Sequence, residues 1–318
     1  MQIKDIIRAQ PSLIVDIDRA IKDSLDNVYW YSEKPQEPDF VASLIIDFTK
    51  GFYHILRNYF PNNKFGVTGV FTHQKPIVDI GLGKNPELGD LLLVYIHEDM
   101  AGKKTFNSIL LQAKLSADQK ARVASADIHQ LELYEKWPDF TYKRAGHLNG
   151  VSRKISPKSI TDGAQYLLID DRPISRLTSP AVFPMGTATP NRLLVVNNNF
   201  AIEIVEFLKL KSGRTFDEDP LTTTDEWSKM IWDLLEITKA QTKRSNYRGA
   251  FDRQSIHGQF SQMFSSPNQQ SSFLGAGFMA GTGKGNPDDL PEANDDSGAI
   301  SILLIESIDQ EGEERGQY

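Results

Sequence analysis

Apolar residues recur along the chain with two rhythms, and the alternation between them outlines a fold. Helical spacing runs through residues 3–25, where Leu13, Ile14, Ile17, Ile21 and Leu25 share a face and Pro11 is expected to interrupt the helix. A Pro-containing connection over 29–39 leads to a second helix at 38–58. Val41, Leu44, Ile45, Phe48, Phe52, Ile55, Leu56 and Tyr59 form its stripe, and Pro61 closes it. Further helices are predicted at 117–140 (strongest over 124–136, before Pro138), at 200–213 closing on Gly213, and at 223–243 with Thr224 as N-cap. The second rhythm consists of short apolar runs: 64–73, 76–82, LLLVYI at 91–96, ILLQAKL at 109–115, 164–171, 192–199 and 299–308. Runs that are apolar at every position suit strands buried on both faces, although a buried helical segment shares that pattern. Residues 142–163 are polar and basic and read as loop. The run at 299–308 is expected to join the domain's own sheet or to add a strand to a partner's.

Composition narrows the possibilities. With 40% hydrophobic and 24% charged residues, the chain has the balance of a soluble globular protein. It contains no cysteine, which excludes disulfides, thiolate metal sites and cysteine nucleophiles. Charges scattered through the first twenty residues fit neither a signal peptide nor a membrane anchor, so a cytoplasmic protein without membrane partners is expected. The elements divide into an N-terminal helical extension (1–37), a main α/β domain (38–250), a flexible Gly/Ser/Asp-rich segment (251–298), and a terminal strand with an acidic tail (299–318).

The net charge of −7 is unevenly spread. Ten acids stand against Arg315 alone from residue 286 onward, a local −9 that leaves residues 1–285 at +2. Residues 101–160 carry eleven Lys or Arg against five Asp or Glu. Basic surface of this kind suits phosphate contacts, or is simply a solvated face. The acidic tail would then shield it, and truncation after Gly285 is expected to raise DNA affinity at low salt.

Three polar residues interrupt the central apolar stretch. Asp90 opens the run at 91–96, and Gln112 and Lys114 break the run at 109–115 two positions apart. If the two runs form an antiparallel hairpin turning at Gly102, opposed numbers sum to about 204 and Asp90 faces Lys114. Gln112 and Lys114 share a face because the strand period is two, whereas a slip of one residue would scatter the cluster. A carboxylate beside a lysine and an amide oxygen suits phosphodiester hydrolysis. The carboxylate holds a hard divalent cation and the lysine steadies the attacking hydroxide or the developing charge. An ion pair at a strand end is the plainer alternative.

An acid at a strand start, about twenty residues of hairpin and then Gln-x-Lys resembles the PD-(D/E)XK nuclease superfamily, in the variant of Mrr-type restriction enzymes. The resemblance covers roughly 38–170 and implies a restriction-endonuclease-like core. That core is a mixed central sheet flanked by helices, here with added C-terminal helices and a flexible acidic tail. It implies Mg²⁺ or Mn²⁺ held by Asp90, Gln112 and the Ala113 carbonyl, with Lys114 as catalytic lysine. Asp47 or Glu87 would supply a further acid. Gln130 and Tyr134 resemble a Q-x-x-x-Y signature of exonuclease branches, and their spacing puts them on one helical face. The implied function is cleavage of nucleic acid, DNA foremost, as a homo-oligomer or beside an ATPase or recognition subunit in microbial antiviral defence. The alternative is a catalytically silent nucleic-acid-binding or scaffolding subunit. The Gly-rich stretch 275–286 lacks the spacing and following helix of a phosphate loop. Trp227 and Trp232 fit a helix core or an interface better than a nucleobase platform.

Overall fold

The computed structural model describes residues 3–73, 75–81, 83–173, 184–242, 259–266 and 298–310. The chain opens with α1 (Ile3–Tyr31), α2 (Glu37–Ser43), a π-helical turn (Leu44–Phe48), α3 (Thr49–Tyr59), β1 (Asn63–Thr72) and β2 (Ile77–Asp79). It continues with β3 (Leu91–Glu98), β4 (Lys104–Leu115), β5 (Lys120–Arg122), a 3-10 turn (Ser125–Asp127), α4 (Ile128–Lys136), β6 (Phe140–Arg144) and β7 (Ser152–Arg153). Then come β8 (Ala164–Ile169), β9 (Met185–Ala188), β10 (Leu193–Val195), β11 (Asn198–Asn199), α5 (Phe200–Leu208) and β12 (Arg214–Thr215). The described part ends with α6 (Glu226–Thr242), β13 (Gln259–Ser265) and β14 (Ser301–Asp309).

The central sheet has the order β11-β9-β8-β4-β3-β14-β1-β13, with β12 pairing the far end of β4. It is mixed: β4 runs parallel to β8 and β14 parallel to β3, whereas β3–β4, β8–β9 and β1–β14 are antiparallel. Helices cover both faces. Leu91, Leu93, Tyr95, Ile109, Leu111 and Leu303 bury against the first three helices and α5. Leu92, Val94, Leu110, Tyr166 and Leu304 bury against α4, α6 and the β2-β6-β7 sheet. Burial on both faces is why these strands read as unbroken apolar runs.

Several expectations need correction. Pro11 lies inside α1 without ending it. Ile6, Leu13, Ile17, Ile21, Leu25 and Val28 are all buried along that helix. At about 1.5–3 kcal/mol each, they outweigh the roughly 3 kcal/mol of an internal proline. The helical stretch at 38–58 is present but contains the π turn, whose Ile45 and Ile46 carbonyls accept hydrogen bonds from Thr49 Oγ1 and Gln262 Nε2. Residues 117–123 are not helical, because β5 pairs with β10 there. The polar segment 142–163 contains the end of β6 and β7, and 192–199 forms two short strands, of which β10 exposes Leu193 and Val195. Thr224 is not the residue capping α6. The Asp225 carboxylate accepts the Ser228 N–H at 2.8 Å.

The run at 299–308 became β14, which lies between β3 and β1 in this chain's own sheet. Truncation after Gly285 would therefore delete a central strand, and cannot report on acidic shielding. The stretch 275–286 and the remainder of the acidic segment lie outside the described residues, apart from 298–310. Among the described residues, no helix is long and apolar enough to cross a membrane.

Candidate functional site

The β3–β4 hairpin turns over residues 99–103. Asp99 Oδ1 accepts the N–H groups of Ala101 and Lys103, each at 2.9 Å, and Gly102 takes φ +77°. This centres the turn on Ala101, so Leu91 faces Leu111 and Leu92 faces Leu110. The register differs by two residues from one centred on Gly102. An even shift leaves every side chain on its face but changes its partner. Asp90 is therefore level with Gln112 rather than Lys114.

β4 outruns β3, and that overrun creates the site. Alternate residues of β4 aim their backbone groups toward β3. The Leu111 carbonyl accepts Asp90 N–H at 2.8 Å, while Leu110 and Ser116 donate toward the β8 side. Beyond Asp90 no rung of β3 remains to pair with Ala113 and Leu115. Two carboxylates replace it: Asp90 Oδ2 accepts Ala113 N–H at 2.8 Å, and Glu37 Oε1 accepts Leu115 N–H at 3.2 Å. A buried backbone donor must find an acceptor, so the sheet edge itself fixes both acids. Because N–H and C=O of one strand residue leave on the same side, the Ala113 carbonyl points toward this gap as well.

Asp90 is 5% exposed and Gln112 4%. Gln112 Nε2 donates to Asp90 Oδ2 at 2.5 Å, and Gln112 Oε1 is buried with no hydrogen-bond partner among the described residues. Lys114 Nζ stands 3.1 Å from Asp127 Oδ2 and 3.8 Å from Glu37 Oε2. Burial pushes the carboxyl groups of Asp90, Glu37 and Glu87 above the usual range. Asp90 adds to the rise at both glutamates, while Lys75 opposes it at Asp90 and Lys114 at Glu37. Burial lowers Lys114, but Glu37 and Asp127 outweigh it and hold the amine above its ordinary value. The acids thus crowd one another in a place that favours positive charge.

Of the remaining candidates, Glu87 belongs to the site's electrostatics and pairs with Arg144 at 3.8 Å. Asp47 sits on the π turn, where it accepts from Ser43 Oγ at 3.2 Å, while Glu37, the first residue of α2, is the helical acid that pairs with Lys114. Tyr134 is buried and donates to the Leu88 carbonyl at 2.9 Å, bracing the segment that delivers Asp90. Gln130, on the same helix, is buried with Nε2 unpartnered among the described residues. Trp227 and Trp232 are buried, as a core role requires.

Sequence reasoning missed Glu37, Asp127 and Lys75. Lys75 is 2% exposed, and its Nζ donates to the Thr72 carbonyl (2.8 Å), the Asp90 carbonyl (3.2 Å) and Ser301 Oγ (3.1 Å). It ties the end of β1, the start of β14 and Asp90 together. Glu37 carried one signal, an acid beside Pro38 at a helix start.

No family model, curated protein or solved structure matches this chain. Among the described residues, no group of three or more His, Cys, Asp or Glu is arranged to hold a metal. The oxygens gathered at the overrun are of mixed kind: the Asp90 carboxylate, the orphaned Gln112 amide oxygen and the Ala113 carbonyl. All three are hard donors, and a small divalent cation that keeps several waters accepts such a sparse set.

Proposed function

We propose that this protein is a metal-dependent nuclease of the PD-(D/E)XK, restriction-endonuclease-like kind, hydrolysing phosphodiester bonds in nucleic acid, DNA foremost. One observation carries the reading. Where β4 outruns β3, Asp90, the unpartnered Gln112 oxygen and Lys114 converge with Glu37 at a gap in the sheet. A buried acceptor without a donor is costly at about 1–3 kcal/mol, and a bound cation relieves it.

When bound, Mg²⁺ or Mn²⁺ would polarise the phosphate and acidify a water. Asp90, Gln112 and Ala113 would hold it. Lys114, kept protonated by Glu37 and Asp127, acts as a fixed positive charge and hydrogen-bond donor to the attacking oxygen and the phosphate. Water oxygen would bond to phosphorus as the P–O ester bond breaks; the water's proton would pass to solvent or to a neighbouring carboxylate, and the leaving sugar oxygen would take a proton from solvent. Glu37 orients Lys114 through their 3.8 Å ion pair. Association with a second copy, or with an ATPase or recognition subunit in antiviral defence, belongs to the same proposal.

The test is incubation of linear, circular and single-stranded DNA and RNA with Mg²⁺, Mn²⁺ or EDTA, with Asp90→Ala and Lys114→Ala in parallel. Metal-dependent cleavage by wild type and its loss in both variants is the expected outcome. Equal cleavage by all three proteins would refute the site. The second reading, a silent nucleic-acid-binding or scaffolding subunit, is favoured by the Gln112–Asp90 hydrogen bond, which partly fills the gap. It predicts metal-independent binding without cleavage.

A further inference from the structure

The basic stretch at 101–160 sorts into spent and unspent charges. Lys104, Lys114, Lys136, Lys143, Arg144, Arg153, Lys154 and Lys158 all form ion pairs with acids. Among the described residues, Lys103, Lys120 and Arg122 do not. Lys103 lies on the hairpin turn, at the end of β4 away from Lys114. Lys120 and Arg122 form the two ends of β5, immediately after the candidate site.

The β5–β10 ribbon has an inner and an outer face. Ala121 lies opposite Leu194, which is fully buried. Arg122 lies opposite Leu193 and Lys120 opposite Val195, and opposed residues project from the same side. That outer side therefore presents two cations and two aliphatics, with Leu193 48% and Val195 51% exposed. Exposed Arg192 adds a third cation at the ribbon's end, where its carbonyl accepts Val123 N–H at 3.1 Å.

The ribbon is bound tightly to the site. Ser116 Oγ donates to the Lys120 carbonyl at 2.6 Å and accepts Lys120 N–H at 3.1 Å. Five residues past Arg122, Asp127 returns to Lys114 at 3.1 Å. Two strand residues from Lys114 to Ser116 plus one hydrogen bond put the Lys120 backbone within roughly 10 Å of that of Lys114. On a duplex this is at most about three base steps of axial rise.

We infer that the β5–β10 ribbon, through Lys120 and Arg122 on its outer face and Arg192 at its end, grips the phosphate backbone of the nucleic acid beside the cleaved bond, with Leu193 and Val195 against the sugars. The inference rests on the nuclease reading for its orientation, and it is tested by binding rather than by cleavage. Two phosphates two to three steps from the scissile one would face Lys120 and Arg122.

The experiment measures fluorescence anisotropy of a labelled 30-base-pair DNA duplex across salt concentration, with EDTA present to prevent cutting. Proteins compared are wild type, Lys120→Ala/Arg122→Ala/Arg192→Ala, Leu193→Glu/Val195→Glu, and Lys4→Ala/Arg8→Ala/Lys50→Ala. The last set carries exposed cations on helices packed against the opposite sheet face. Thermal melts confirm that each variant folds. The ribbon triple should lower the slope of log K against log salt by about 2–3 and weaken binding on the order of tenfold or more at 0.1 M salt. The glutamate pair should weaken binding further, and the opposite-face triple should leave it unchanged. Unchanged binding by both ribbon variants, equal losses in the opposite-face control, or no binding by wild type would each overturn the inference. Wild-type binding that depends on the ribbon, without cleavage in Mg²⁺ or Mn²⁺, would uphold it while sinking the nuclease reading.

Discussion

Gly89 offers the sharpest test of how the site is held. Its backbone lies outside the left-handed region, so the glycine is present for space alone. A Cβ there would stand 2.7 Å from Leu110 Cδ1 and 3.0 Å from Tyr134 Oη. Carbon atoms sit comfortably at about 3.5–4.0 Å, so Gly89→Ala forces a retreat of roughly 1 Å. Tyr134 cannot yield freely. Its hydroxyl bonds the Leu88 carbonyl at 2.9 Å, and its ring stacks 5.7 Å from Trp137. Overpacking of this kind costs about 1–3 kcal/mol, and breaking that hydrogen bond about 1 more. The sum, about 2–4 kcal/mol, should lower the melting temperature by roughly 3–6 °C. Asp90 follows Gly89 directly, so cleavage should fall by about a hundredfold if the carboxylate moves 1 Å. Differential scanning fluorimetry and urea melts read the first effect, and single-turnover cleavage the second. In a Leu110→Ala background the added methyl should cost less, because the Leu110 atoms are gone and only the Tyr134 hydroxyl still obstructs it. An unchanged melt for Gly89→Ala, or full additivity with Leu110→Ala, would show that this contact does not govern the approach to Asp90.

Other consequences are open to measurement. Asp90's carboxyl is raised by burial, so its folded form holds a proton longer than the unfolded one. It contributes stability present below about pH 3.9 and lost as pH rises through the raised value. Asp90→Asn should therefore be at least as stable as wild type in EDTA at pH 7. Mg²⁺ should raise the wild-type melting temperature and leave Asp90→Asn unmoved, and a stabilised variant would contradict Asp90 as a ligand. Lys75 is lowered by burial, the opposite sign for a base: its contribution grows as pH rises from the lowered folded value toward about 10.4. Lys75→Met should flatten the alkaline limb of a stability–pH curve, and an unaltered limb would exclude this assignment. Asp233 takes a bidentate contact from Arg153 (2.7 and 2.9 Å) and the Tyr142 hydroxyl at 3.1 Å. Asp233→Ala strands a largely buried guanidinium and should cost about 3–5 kcal/mol in urea melts, whereas a loss under 1 kcal/mol would argue that water replaces the carboxylate.

What could be read from the chain alone follows from the range of each interaction. The hairpin and the common face of Asp90, Gln112 and Lys114 obey a period of two, which is local and survives a turn misplaced by one residue. Asp99's side-chain bonds to Ala101 and Lys103 moved that turn, a detail no apolar pattern carries. Glu37 was hidden because its task, capping Leu115 N–H, joins residues 78 apart in sequence. Lys75 falls between the apolar runs at 64–73 and 76–82, and only the docking of Ser301 beside it makes it a buried strut. Pro11 misled because a local propensity was overruled by a long apolar stripe. The apolar run at 299–308 was visible, but its position beside Leu91 is a matter of topology.

That position bears on how the protein comes into being. Leu91 and Ser301 are register partners, and Ser301 also receives Lys75, the residue that fastens Asp90. During synthesis β3 must wait with an unpaired edge until more than two hundred further residues have left the ribosome. Such late, long-range pairing is slow and leaves an adhesive edge exposed in the meantime. It also acts as a safeguard in time. Asp90 receives its full set of supports only when β14 inserts, so the candidate site is assembled with completion of the sheet and not before.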